Sequence, residues 1–330
     1  MPPGSTRSGR TSLRALACPA SYKGVLCAFA AAEALCEGLR AGGCDAVALP
    51  VADGGEGTAE VLCRALGGRW LEAEVSDPLG RPVPARWLVL PDGRAVVEAA
   101  AAIGLPLLAP DERDPLGASS RGFGELISAA LAEGATGLLL GLGGSATVDG
   151  GAGLRGVLES LPVPSVVLCD VGTLLADAAR LYGPQKGASP DDVSVLERRL
   201  AEMEELRPYA ELRGSGAAGG LGAALAALGA ELVPGASVVL DLVGFDRHLD
   251  GCDLVVTGEG TVDVTTAEGK APGAVAGRCA VAGVRCVVVG GVVKAPVDGA
   301  ETVSLSGDPA RCAADLRELG RSLAATGSDR

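Results

Sequence analysis

The sequence is poor in aromatics, histidine and lysine, and each shortage excludes something. Three Phe, three Tyr and two Trp make aromatics 2% of 330 residues, while hydrophobic residues reach 48%. Any core must therefore be assembled from Ala, Val and Leu. There is one histidine, His248, set among Asp246, Arg247 and Asp250, where it reads as a surface residue. That excludes a Ser-His-Asp hydrolytic centre. The ten cysteines form no CxxC pair, so no zinc site is expected. Basic residues are outnumbered 28 to 41, for a net charge of −13, which excludes a nucleic-acid partner. No apolar run reaches the ~18 residues of a membrane span, and no secretory leader is evident. Cysteines inside apolar runs read as small hydrophobes, and the protein is expected in the reducing cytoplasm.

Only four of the 28 basic residues are lysines. Lys23, Lys186 and Lys270 each adjoin glycine in a loop-like stretch. In an arginine-rich chain, a retained lysine suits a position that needs a compact point charge. An acidic protein can still take an anionic ligand at such a cluster.

A chain of this length predicts about two domains. Short strand-like runs alternate with helical ones at both ends of the sequence. Leu13 to Pro19 and Ala46 to Val51 read as strands, and Val25 to Leu39 and Thr58 to Leu66 as helices. Asp253 to Thr257, Cys286 to Gly290 and Thr302 to Leu305 resume the pattern, and together these strands predict a five-stranded parallel sheet. Residues 69–98 differ: alternating stretches joined by turns at Asp77-Pro78-Leu79-Gly80 and Pro91-Asp92-Gly93 predict antiparallel pairing. The predicted fold class is α/β, a flavodoxin-like parallel-sheet domain with a second, mixed α/β domain inserted. The expected divisions are a disordered tail over 1–12, the flavodoxin-like domain over 13–60 plus 250–330, and the insert over 61–249.

Four glycine-rich loops hold most of the suggestive polar groups. In open α/β sheets, ligands bind beyond the carboxyl ends of strands. Ser21-Tyr22-Lys23-Gly24 follows the first strand, and Lys23 is expected at a helix N-terminus, where backbone N–H groups attract anions. Asp53-Gly54-Gly55-Glu56 follows the second strand, with two carboxylates able to bind magnesium, orient a hydroxyl or act as base. GLGGSATVDGG spans 141–151. It offers Gly143 and Gly144 for close backbone approach, hydroxyls from Ser145 and Thr147, and the carboxylate of Asp149. It satisfies neither the dinucleotide fingerprint nor a P-loop, since no lysine follows. The fourth loop carries Glu259 and Asp263, with Lys270 beyond. Lys186 in a compact turn and Gly219-Gly220 before a small-residue helix complete the set. Lysines, carboxylates and bare backbone together suit phosphoryl transfer, in which a protein mainly positions groups and neutralises charge.

In this order, CPASYKG, PVADGGEGT, SRGFGELI, GLGGSATVDGGAGL, YGPQKGAS, GAAGGLGAAL and DLVVTGEGTVD…GKAP resemble the bacterial glycerate kinase family of the two-domain α/β type. The resemblance covers about residues 13–300. It implies an ATP- and Mg2+-dependent kinase that phosphorylates D-glycerate, at the 2-hydroxyl, in a cleft between the two domains. It implies catalytic roles for Lys23, Asp53, Asp149 and Asp263. Ser21, Gly54, Gly55, Glu56, Gly143, Gly144, Ser145, Thr147, Lys186, Gly219, Gly220, Glu259 and Lys270 would bind substrate or cofactor, and Asp53 and Asp149 would hold the metal. The chain departs from the family pattern at Ala20, where Asp is usual, at Val148, where Asn is usual, and at Thr261, where Arg is usual. It is also short between Leu154 and Tyr182. A catalytically impaired binding protein, or a kinase for another small hydroxy acid, is the alternative these departures leave open.

Overall fold

The computed structural model describes residues 12–267 and 269–327. Of the expected tail, 1–11 lie outside the described residues. Along the chain run β1 (Arg14–Pro19), α1 (Ala28–Ala41), β2 (Asp45–Ala48), α2 (Thr58–Leu66), β3 (Arg69–Ser76), β4 (Pro82–Val89) and β5 (Arg94–Glu98). There follow α3 (Ala99–Ile103), α4 (Arg121–Ala132), β6 (Gly137–Gly141), α5 (Ala152–Arg155), β7 (Ser165–Leu168), α6 (Ala178–Tyr182), α7 (Pro190–Ala201) and α8 (Ala217–Ala227). The last third holds β8 (Glu231–Val233), α9 (Gly235–Leu242), α10 (Phe245–Leu249), β9 (Leu254–Val262), α11 (Val264–Ala267), α12 (Ala271–Ala282), β10 (Arg285–Val293), β11 (Glu301–Ser304) and α13 (Cys312–Gly327).

The chain divides into two compact units. One takes the described residues up to Val51 and those from Gly244 onward; the other is Ala52–Val243. The expected divisions lay nine residues later, after 60, and six later, after 249, so the turn at 52–57 goes with the middle unit.

In the first unit, five strands in the order β11-β10-β9-β1-β2 make an all-parallel sheet. This is the expected flavodoxin-like order. Val255 and Val256 early in β9 and Val287, Val288 and Val289 in β10 are buried, as a sheet covered on both faces requires. The apolar face of α1 places Ala31, Leu35 and Leu39 at helical spacing over the sheet, in one cluster with Ala17, Val256, Val289 and Leu316. Ala, Val, Leu and Cys make up this core, together with the aromatic Tyr22. The order of strands reverses between β1 and β9, which opens a crevice at their carboxyl ends.

Two local expectations give way here. The helix α1 begins at Ala28, because Tyr22 and Leu26 exchange backbone hydrogen bonds and close a tight turn first. Lys23 thus sits in that turn and not at the helix N-terminus. The TGEGTV segment, expected as a loop, is strand: β9 continues to Val262 because β10 runs beside it, with Val292 opposite Thr261 and Val293 opposite Val262. Pairing overrides the low strand preference of glycine.

The middle unit carries a six-stranded sheet, β3-β4-β5-β6-β7-β8. The pairs β3–β4 and β4–β5 are antiparallel, as residues 69–98 predicted, and the pairs from β5 to β8 are parallel. Its core packs Trp87, Phe123, Leu126, Ile127, Leu140 and Leu221 against the sheet. The three-residue β8 is too short to be read from the sequence. Helix α7 starts on a capping box, Ser189 with Asp192, and stops at Ala201.

Candidate active-site loops

In the middle unit the carboxyl ends of β5, β6 and β7 bring the expected loops together. The loop after β6 and the 53–57 turn touch backbone to backbone. A Cβ at Gly143 would stand 2.6 Å from the Gly55 Cα, and one at Gly141 2.7 Å from the Gly54 carbonyl oxygen. Only glycine permits this approach. Asp53 is half-buried and accepts from the Gly55 amide at 3.1 Å, while Glu56 is exposed.

Lys186 lies 3% exposed in a 3-10 turn, Pro184–Lys186. Its ammonium donates to the Thr147 carbonyl at 2.7 Å and to the Ser145 hydroxyl at 3.2 Å. Burial pulls its pKa down to about 7, a shift that the Asp149 charge partly opposes. The Thr147 hydroxyl is buried with no hydrogen-bond partner. A buried cation held only by neutral oxygens, beside an orphan hydroxyl, can receive an anion.

Asp149 is committed to the fold. One oxygen accepts from the Ser120 amide and hydroxyl and from the Gly153 amide, and the other from the Gly151 amide, at 2.7–3.1 Å. It anchors the start of α4 and the start of α5, with three donors on one oxygen and one on the other. Gly219 and Gly220 pack on the same loop: the Gly219 carbonyl accepts from Gly150 at 3.0 Å. A Cβ at Gly219 would run into the Thr147 carbonyl and stand 2.6 Å from the Val148 Cα. Ala218 beside it is held at φ 53°, the single non-glycine with positive φ among the described residues.

Two carboxylates at strand ends were not singled out from the sequence. Asp170, just beyond β7, accepts from the Ala236 amide at 2.9 Å, and its Oδ1 is buried without a partner. Burial, with the Asp53 charge adding, pushes its pKa up to about 7. Glu98 ends β5, and burial, with Glu56 adding, also raises it to about 7. Their positions at the ends of strands were the available signal.

The first unit gathers a separate group at the crevice. The Tyr22–Lys23 turn lies over β9, where a Cβ at Gly260 would be 3.5 Å from the Lys23 nitrogen. The Lys23 side chain is exposed, with no ion pair among the described residues. Lys270 Nζ stands 3.9 Å from Asp263 and 4.0 Å from Glu259. The Thr266 hydroxyl donates to Glu259 at 2.7 Å. Hydrogen bonding from Thr265 holds the Asp263 carboxyl below its ordinary range. Ser21, half-buried, directly precedes the Tyr22–Lys23 turn.

Among the described residues, no group of three or more His, Cys, Asp or Glu is disposed to hold a metal ion, and no helix is long and apolar enough to cross a membrane. All ten cysteines are free.

The sequence model described as "Glycerate kinase family" matches residues 15–161 and 158–308. A protein named glycerate kinase from Bacillus subtilis (strain 168) is 40% identical over 305 residues, covering 79% of this chain and 80% of its own length. The glycerate 2-kinase of Escherichia coli (strain K12) is 40% identical over 299 residues, covering 77% and 78%. The crystal structure of a candidate glycerate kinase 2 from Salmonella typhimurium LT2 superposes with a TM-score of 0.80 at 34% identity, over 96% of this chain and 99% of that one. With these relatives, the protein is a phosphotransferase with an alcohol group as acceptor. The chain belongs to the glycerate kinase family.

Proposed function

We propose that the protein phosphorylates D-glycerate with ATP as donor, at the 2-hydroxyl. The observation that carries this reading, given the family, is buried Lys186 with its ammonium on neutral oxygens and an orphan hydroxyl beside it. Glycerate brings a carboxylate, and ATP brings phosphates. Lys186 neutralises one such anion in a site closed to water, where a charge is worth more than at the surface. Lys23 and Lys270 do the same at the crevice of the parallel sheet. Gly54, Gly55, Gly143 and Gly144 let backbone N–H groups approach the transferring group, and Ser145 and Thr147 add hydroxyl donors.

Mg2+ suits the carboxylates present. It is held by one or two carboxylates together with substrate phosphates. The charge of Asp53 acts on Asp170, whose Oδ1 is an orphaned buried acceptor. These two would hold the ion, which when bound neutralises phosphate charge. The acceptor hydroxyl must lose its proton to a carboxylate; Asp53 in the middle unit and Asp263 in the first are each partly exposed. Asp149 serves by fixing the loop that Lys186 contacts.

The test is ADP release by the purified protein with ATP, Mg2+ and D-glycerate, with the product's phosphorus NMR distinguishing 2- from 3-phosphoglycerate. Turnover giving 2-phosphoglycerate is expected. A folded, nucleotide-binding protein with no turnover above background would overturn the reading in favour of a binding role. Turnover confined to other hydroxy acids would reassign the substrate.

A further inference from the structure

Helix α2 opens on Gly57, which has no side chain to cap it and sits at φ 91°. A residue with a side chain would be strained there, so the cap must come from elsewhere. It comes from Glu98, 40 residues along the chain from Thr58: Oε1 accepts from the Thr58 amide at 2.8 Å and from the Ala59 amide at 3.4 Å. Thr58 is wholly buried. Its hydroxyl donates to the Gly55 carbonyl at 2.7 Å and accepts from the Gly54 amide at 3.1 Å. The Glu98 main chain, meanwhile, is in register with Gly141, the first residue of the 141–151 loop. One residue is thus tied to both loops, by its side chain through Thr58 to the 53–57 turn and by its backbone to the loop after β6.

We propose that Glu98 is a positioning residue for phosphoryl transfer, setting where the Asp53–Glu56 turn stands against the Gly143–Ser145 loop. The inference rests on the function proposed above. Reaction rates depend steeply on such placement, about a hundredfold for a misplacement of 1 Å. A carboxylate suits the task because it can accept from two amides at the positive end of a helix. Its burial next to Glu56 opposes the charge, a cost that a helix cap needed for stability alone does not require.

The test compares Glu98→Gln and Glu98→Ala at a temperature where both are folded. Glutamine keeps an acceptor oxygen on the Thr58 amide. Glu98→Ala is expected to lose about tenfold or more in kcat with a smaller change in KM. Glu98→Gln should stay near wild type. Hydrogen exchange at the 54–59 amides should quicken in Glu98→Ala and not in Glu98→Gln. Thr58→Val, which cuts the link to the turn and leaves the cap, should reproduce the kcat loss, and it carries the test if Glu98→Ala does not fold. Wild-type kcat and wild-type exchange in Glu98→Ala, with only a lower Tm, would overturn the proposal. The exchange measurement needs no turnover: if the wild type fails to phosphorylate glycerate yet the exchange pattern holds, the substrate reading falls and the positioning of the turn stands.

Discussion

The Lys186 ammonium donates to the backbone carbonyl of Thr147 at 2.7 Å, inside the protein and with no carboxylate bonded to it. With its pKa drawn from 10.5 to about 7, the folded protein holds that proton less tightly than the unfolded chain does. Between these two pH values the unfolded state binds more protons, so folding stability rises with pH from about 7 toward 10.5. Lys186→Met should flatten that slope in denaturant titrations and should abolish turnover. An anion bound beside Lys186 favours its charged form. Substrate binding at pH 8 should therefore take up a proton, read by calorimetry in buffers of different ionisation enthalpy. Heats that do not depend on the buffer would count against the placement of the anion here.

Asp170 makes a prediction of the opposite kind. Burial and Asp53 raise its carboxyl from 3.8 to about 7, so the folded state holds the extra proton between those values. Stability contributed by the site is present below about pH 4 and is lost as pH rises through about 7. Asp170→Asn should be more stable than wild type at pH 8, by roughly 1–4 kcal/mol, and equal to it near pH 4. It should also bind Mg2+ with nucleotide more weakly. A variant less stable than wild type at pH 8 would show that the charge is compensated in the folded protein.

Val148 stands where the family resemblance implies asparagine, and its side chain is in the core. It is 1% exposed, in a cluster with Leu175, Ala178, Ala179, Leu196 and Leu200. Restoring the amide would bury polar atoms among these aliphatic groups. Val148→Asn is expected to destabilise by about 1–3 kcal/mol, measured by urea unfolding, without raising kcat. A gain in activity would mean that the asparagine reaches the loop.

Lys23 tests the first unit. It is exposed in the Tyr22–Leu26 turn with no ion pair among the described residues, so removing it should leave folding intact. Lys23→Ala should keep its Tm within about a degree, as surface substitutions do. It should lose most of kcat/KM. Wild-type kinetics would show that this turn takes no phosphate or carboxylate.

The strands and most helices were legible because burial imposes a period on the sequence. Helix α2 matches its expected bounds, Thr58–Leu66, since Gly57 and Gly67 mark its ends. A run such as Cys286 to Gly290, with three valines between the two, reads as a strand of a covered parallel sheet, and β10 contains it. What failed was local. The start of α1 was set by a turn whose hydrogen bonds join residues four apart, and the end of β9 by a neighbouring strand, neither of which leaves a periodic trace. Glu98, Asp170 and Ser120 escaped notice because each is a single polar residue at the end of an ordinary element, with partners 29–66 residues away.

The sequence by itself determined the α/β alternation, the glycine-rich loops and the family, since all three are written in local spacing and in the order of motifs. Only the tertiary structure decided what each polar side chain in those loops does. Asp149, expected at the chemistry, ties two helices to a loop, while Lys186, expected as a binding lysine in a compact turn, is buried and bonded to neutral oxygens. The physical reason is that a side chain's role depends on desolvation and on the partners that meet it in space. Those are set by which strand ends the sheet brings together, and residue spacing along the chain does not encode them.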